Sequence, residues 1–151
     1  MKYYRINGNV TAYEADGSQD AYIPAHAVAM TAEEVEAHIN PPKTEADLVA
    51  AIKARRDQAI ESGTVVGGIS LYTDERSRNF IDGAALSALM DPDYSLRWLA
   101  ADGNVHVLTA PQVLALASGV RAHVQACFDV AEAKVAALLN GDEYDLEADW
   151  P

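Results

Sequence analysis

The sequence predicts an α+β protein: a small N-terminal β-hairpin module, then a mainly helical domain with two short β-hairpins and a long C-terminal helix. Three observations carry that reading. Tight-turn dipeptides sit between strand-forming residues at Asn7-Gly8, Gly67-Gly68 and Asp102-Gly103. Helix-start signatures, Thr-x-x-Glu at Thr31 and Glu34 and Thr-x-x-Gln at Thr109 and Gln112, precede apolar-periodic runs. Alanine supplies much of the apolar content while aromatics make up only 7% of the 151 residues, which favours helices over thick β-cores.

The elements follow in order. KYYRINGNVTAY alternates apolar and polar residues about Asn7-Gly8, a hairpin with Tyr4 and Ile6 facing Val10 and Ala12 or their neighbours. EADGSQD is a second turn, and AYIPA a short extended segment that Pro24 confines to an edge or a strand end. Thr31 and Glu34 open a short helix in MTAEEVEAH. Pro41 and Pro42 stop it, because each pushes the residue before it out of the helical region. The stop marks a boundary between an N-terminal module, residues 1–40, and a main domain, residues 41–141. TEADLVAAIKARRDQAIESG is a second helix, capped by Thr44, with Leu48, Ile52, Ala59 and Ile60 as its apolar stripe and Gly63 in the αL position that ends helices.

TVVGGISLY is a second hairpin. Thr73 then caps the helix in DERSRNFIDGAALSALM, so Thr73→Ala is expected to cost about 1 kcal/mol through the lost cap. Asp74 and Arg78 stand at the i,i+4 spacing of helical ion pairs. Pro92 breaks this helix, and LRWLAADGNVHVL forms the third hairpin. The last helix runs from about Ala110 to Leu139, with Pro111 in its first turn. Val113, Ala117, Val120, Val124, Cys127, Ala131, Val135 and Leu138 recur along it in threes and fours, a heptad-like seam. The seam is expected to pack on earlier helices of the same chain; self-association through the C-terminal helix is its other use. Residues 142–151, DEYDLEADWP, form an acidic tail. It reads either as a frayed end or as a docking peptide with Tyr144, Leu146 and Trp150 as its anchors.

The formal net charge of -12 disfavours nucleic acid and anionic membranes as partners. No run approaches the roughly 20 apolar residues of a membrane span, and the one cysteine, Cys127, allows no intrachain disulfide. His26, His38, His106 and His123 show no H-x-x-x-H spacing. His123 and Cys127 lie one helical turn apart, a spacing open to a metal or a thiolate pair. Cys127 falls on the apolar seam, however, and reads as a small core residue. VGGIS is not a nucleophile elbow, and VVGGI lacks the Lys-Ser/Thr of a phosphate loop. The densest cluster of polar groups is LYTDERSRNFIDGA, residues 71–84. Each of its groups has a role in starting a helix, and no second acid–base partner is identifiable. The expectation is a non-enzymatic protein with no catalytic residue, metal or cofactor.

YTDERSRNFIDGA, a following Trp98, and ADGNVHVLTAPQVLALASGVRAHVQACF are similar to a small domain of uncharacterised function in tailed phages and prophages. Thr73, Asp74, Ser77, Arg78, Gly83, Ala84, Trp98, Asp102, Gly103, Leu108, Thr109, His123, Val124, Cys127 and Phe128 carry the likeness, which covers about residues 45–139. The N-terminal stretch, with AYEADGSQDAY, T-x-E-E and a proline break, resembles the start of phage tail fibre assembly proteins. Together the halves resemble a tail fibre assembly protein.

The resemblance implies a chaperone, active in the host cytoplasm during phage assembly, that binds the tail fibre protein and assists its folding or trimerisation. The alternative is a structural tail or baseplate component retained in the virion. The partner-binding surface is expected at Tyr3, Tyr4, Tyr13 and Tyr22 of the N-terminal module, since tyrosine is enriched at interfaces, and at Tyr144, Leu146 and Trp150 of the tail. Packing of those tyrosines on the main domain is the competing role.

Overall fold

Asn7 and Gly8 both hold positive φ, 51° and 84°, as a two-residue hairpin turn matched to strand twist requires. The turn joins β1, Lys2–Ile6, to β2, Asn9–Tyr13. The computed structural model describes all residues, Met1–Pro151. In it Tyr4 stands opposite Thr11 and Ile6 opposite Asn9, while Arg5 takes Val10 and Tyr3 takes Ala12. A short strand, β3 at Val28–Ala29, pairs antiparallel with the other side of β1, giving the order β2-β1-β3.

AYIPA forms no strand. Asp20–Tyr22 form a 3₁₀ turn. Local bonds outcompete the strand: Asp16 Oδ1 accepts from the Ser18 amide at 2.9 Å and its hydroxyl at 2.7 Å, which curls the chain. Lys2 then holds Asp20 at 2.7 Å. The helix α1, Ala32–Ile39, starts with both halves of the expected box: the Glu34 amide donates to Thr31 Oγ1 at 3.2 Å, and the Thr31 amide donates to Glu34 Oε2 at 2.8 Å.

The chain divides into two compact units, Met1–Thr44 and Glu45–Pro151. The first has no fully buried residue. The second contains α2, Glu45–Glu61; β4, Thr64–Val66; β5, Ile69–Leu71; α3, Glu75–Met90; β6, Ser95–Leu99; β7, Val105–Thr109; and α4, Ala110–Asn140. The result is an α+β protein with an N-terminal hairpin, two further short hairpins and a long C-terminal helix.

The helix α4 is the spine of the second unit, packed against both α2 and α3. Its start is fastened by Gln112, whose Oε1 accepts from the Thr109 amide at 2.9 Å and hydroxyl at 3.0 Å. Its buried line runs Val113, Leu116, Val120, His123, Cys127, Ala131, Lys134. Ala117, Val124, Val135 and Leu138 of the predicted seam are only half-buried. The buried residues keep heptad-like steps of three and four, and the half-buried ones beside them widen the line into the broader stripe that covering two helices requires. The main core gathers Leu71, Ile81, Ala88, Leu108, Ala110, Val113, Leu116 and Val120; a second cluster joins Ala59, Ile60 and Cys127. No helix is long and apolar enough to cross a membrane.

Candidate functional site

The polar stretch 71–84 forms a structural knot at the end of α2. Thr73 does not cap α3. It is completely buried, and its Oγ1 accepts from the Gly63 amide at 2.8 Å. Asp74 is the cap: Oδ1 accepts from the Ser77 amide at 3.1 Å and Oδ2 from the Ser77 hydroxyl at 2.6 Å. The Ser77 bonds hold the Asp74 carboxyl below its usual range. Arg78 donates to the Thr73 carbonyl instead of pairing with Asp74. Gly63, at φ 92°, turns the chain here, and a Cβ would stand 3.0 Å from the Leu71 carbonyl oxygen.

His123 of α4 closes the knot from the other side. Its Nε2–H donates to the Ala59 carbonyl at 3.2 Å, and the Ser62 hydroxyl donates to the same oxygen at 2.8 Å. The same carbonyl, in the last turn of α2, also accepts from the Ser62 amide at 3.2 Å, so three donors converge on it. Cys127 Sγ lies 4.0 Å from the same His123 nitrogen. Burial pushes the Cys127 thiol up, the reverse of what an activated thiolate needs. The open depression beside the knot is lined by Glu61, Asp74, Glu75, Arg76, Asn79 and Phe80, with the Arg76 guanidinium 5.6 Å from the Phe80 ring centre.

The expected tyrosine surface is divided by strand alternation. Tyr4 and Tyr13 share one face of the sheet and meet edge-to-face at 5.8 Å. Tyr3 points to the opposite face, where its ring meets His38 of α1 at 6.4 Å. Arg5, on that face too, pairs with Glu34 at 3.5 Å. Tyr22, in the 3₁₀ turn, is 76% exposed.

The tail is neither frayed nor free. Gly141, at φ 77°, turns the chain out of α4, and the Asp142 amide donates back to the Ala137 carbonyl at 2.9 Å. Beyond it Tyr144, Leu146, Ala148 and Trp150 are half-buried, while Asp145, Glu147 and Asp149 are exposed. Trp150 packs on the Ala59, Ile60 and Cys127 cluster. Two cations flank its ring, Arg55 at 5.4 Å and Lys134 at 5.5 Å. Its indole N–H donates to the Leu146 carbonyl at 2.8 Å. Arg55 pairs with Glu147 at 2.7 Å, and Lys134 donates to the Asp145 carbonyl at 2.6 Å. Lys134 is only 6% exposed, and sequence reasoning passed it over. The available signal was one lysine interrupting an apolar helix that precedes an acidic tail.

A further apolar surface also went unmarked. Leu99, Val105 and Val107 project from the outer face of β6–β7 at 66%, 51% and 72% exposure, beside Arg97. On the inner face Trp98 stands opposite His106, and neither Trp98 Nε1 nor His106 Nε2 has a hydrogen-bond partner. Apolar residues on both faces hide the alternation that would tell inside from outside.

Residues 43–149 match the model of a family described as a domain of unknown function, DUF4376. The match covers most of the chain, which therefore belongs to this family. No curated protein and no solved structure matches it.

Proposed function

We propose that this DUF4376 member is a non-enzymatic assembly chaperone of a phage tail fibre, binding the fibre chain while it folds or trimerises. The reading starts from the resemblance of its sequence to tail fibre assembly proteins. The observation that carries it furthest is the construction of the unit Met1–Thr44. Its sheet ends on β2, which pairs only with β1, so one row of strand amides and carbonyls faces outward. The Tyr4–Tyr13 pair lies beside that edge, and the unit has no fully buried residue of its own. A β-rich fibre chain before trimerisation exposes strand edges that aggregate unless covered. Strand addition along Asn9–Tyr13 would supply main-chain bonds, and flanking tyrosines would supply contact area. The charge of -12 keeps such a helper soluble and repels the like-charged nucleic acid around it.

The test is co-expression of the full chain with the fibre gene beside it. Soluble, trimeric fibre is expected only when both are present, and a Tyr13→Asp chain is expected to lower the yield. Equal amounts of soluble trimer without this protein would remove the proposal. Stoichiometric recovery of the protein in purified particles would replace the chaperone with a structural tail component.

A further inference from the structure

The tail has the construction of a bound ligand. Its contacts to the helical body converge on one groove between α2 and α4: an apolar floor of Ala59, Ile60 and Cys127, with Arg55 on one wall and Lys134 on the other. The floor takes an aromatic ring, the walls take the π-face, and their remaining donors take acidic or carbonyl oxygens, as Glu147 and Asp145 show at 2.7 Å and 2.6 Å. Lys134 is a charged side chain only 6% exposed with the tail in place. In a chain of net charge -12, two cations aimed at one indole are a specific recognition device.

Three features make the occupant removable. The tail contributes no helix or strand, so it leaves without breaking a backbone ladder. Its carboxylates lie at the solvent edge, with Glu147 70% and Asp149 83% exposed at the side chain. Asp149, immediately before the anchor, is held at φ 66°, a region disfavoured for a residue with a Cβ. Departure relaxes that backbone, and it lets the Lys134 ammonium reach water, so no charge is stranded in a dry interior.

We infer that residues 142–151 are a releasable cover over a peptide-binding groove, and that an acidic, Trp-bearing segment of a protein partner displaces them. The inference is independent of the fibre reading, because it concerns the second unit alone and names the partner by chemistry. An intramolecular ligand is present at an effective concentration in the millimolar range. The resting chain therefore admits a competitor only weakly, and loosening the tail in cis opens the groove to the same segment in trans.

The lone cysteine lets this be read directly, since Cys127 lies in the floor under Trp150. The full chain and its Trp150→Ala variant are treated with an aromatic disulfide reagent. The probe is a synthetic peptide of residues 142–151, with a scrambled peptide of equal composition as control. Cys127 is expected to react at least tenfold faster in Trp150→Ala, with an unchanged helical circular dichroism spectrum. The peptide is expected to restore protection saturably, the scrambled peptide not to, and Lys134→Met in the same background to weaken the protection at least fivefold. A Trp150→Ala chain that reacts as slowly as the native one, or that loses its helical spectrum, overturns the release. Fast reaction that the peptide does not slow, or that the scrambled peptide slows equally, overturns the groove.

Discussion

Thr73 shows how one side chain changes meaning between sequence and fold. Next to an acidic residue at a helix start, a threonine reads as a cap, and a cap lost to alanine costs about 1 kcal/mol. In the structure the cap is Asp74, one residue later, and Thr73 faces inward to bind the Gly63 amide. Its hydroxyl, itself completely buried, then matters as the acceptor of the half-buried Gly63 amide. Thr73→Val keeps the shape and removes that acceptor, so about 1 kcal/mol should be lost, the low end of the range for a donor left unpaired. A urea midpoint unchanged within error would show that the Gly63 amide finds another acceptor. The same logic separates the other residues. Thr31 with Glu34, Asn7 with Gly8, and Gly63 at the end of α2 were legible because each acts within four residues of itself. His123 on the Ala59 carbonyl and Lys134 on the Asp145 carbonyl were not. Each is chosen by a partner that only the folded chain brings near, and nothing in the local spelling marks it.

Helices and hairpins were more legible than single contacts, and the exceptions have physical causes. The three hairpins are announced by their turns, and α4 by its length and start. The strand β3 was missed because two residues carry no period, and its partner β1 lies earlier in the chain. Gly119 in the middle of α4 is a sharper case. Judged by propensity, it weakens the helix by about 1 kcal/mol relative to alanine. Packing reverses that judgement: a Cβ there would stand 2.5 Å and 2.6 Å from the two methyls of Val66 in β4. Valine is short and stiff, so relief requires moving the β4–β5 hairpin, at about 1–3 kcal/mol. The clash should outweigh the propensity gain, and Gly119→Ala should lower the urea midpoint. In a Val66→Ala background both methyl contacts are gone, only the Cβ of residue 66 stays close at 3.1 Å, and the helix preference remains, so the same substitution should cost much less or become neutral. A midpoint that falls equally in both backgrounds would show that Gly119 is not a notch for Val66.

At the scale of the molecule, the two units differ in what holds them. Glu45–Pro151 contains two buried clusters at successive positions along α4, and its tail adds a cover to the second. Met1–Thr44 has a capped helix, a three-stranded sheet and surface ion pairs, but no fully buried residue. Ion pairs exposed to solvent contribute about 0–1 kcal/mol each, so they cannot stand in for a core. Local opening follows buried apolar contact. The first unit should therefore open at about 1–2 kcal/mol, far below the 5–15 kcal/mol typical of a domain. In hydrogen exchange of the full chain, amides of β1 and β2 should exchange at least about 100-fold faster than those at the centre of α4. A sheet that opens so readily is costly to leave alone and well suited to completion by another strand. Adding unassembled fibre should slow exchange in Asn9–Tyr13 first and leave α4 unchanged. Protection of β1 and β2 already equal to that of α4 in the isolated protein would mean that the sheet needs no partner, and strand addition would lose its physical basis.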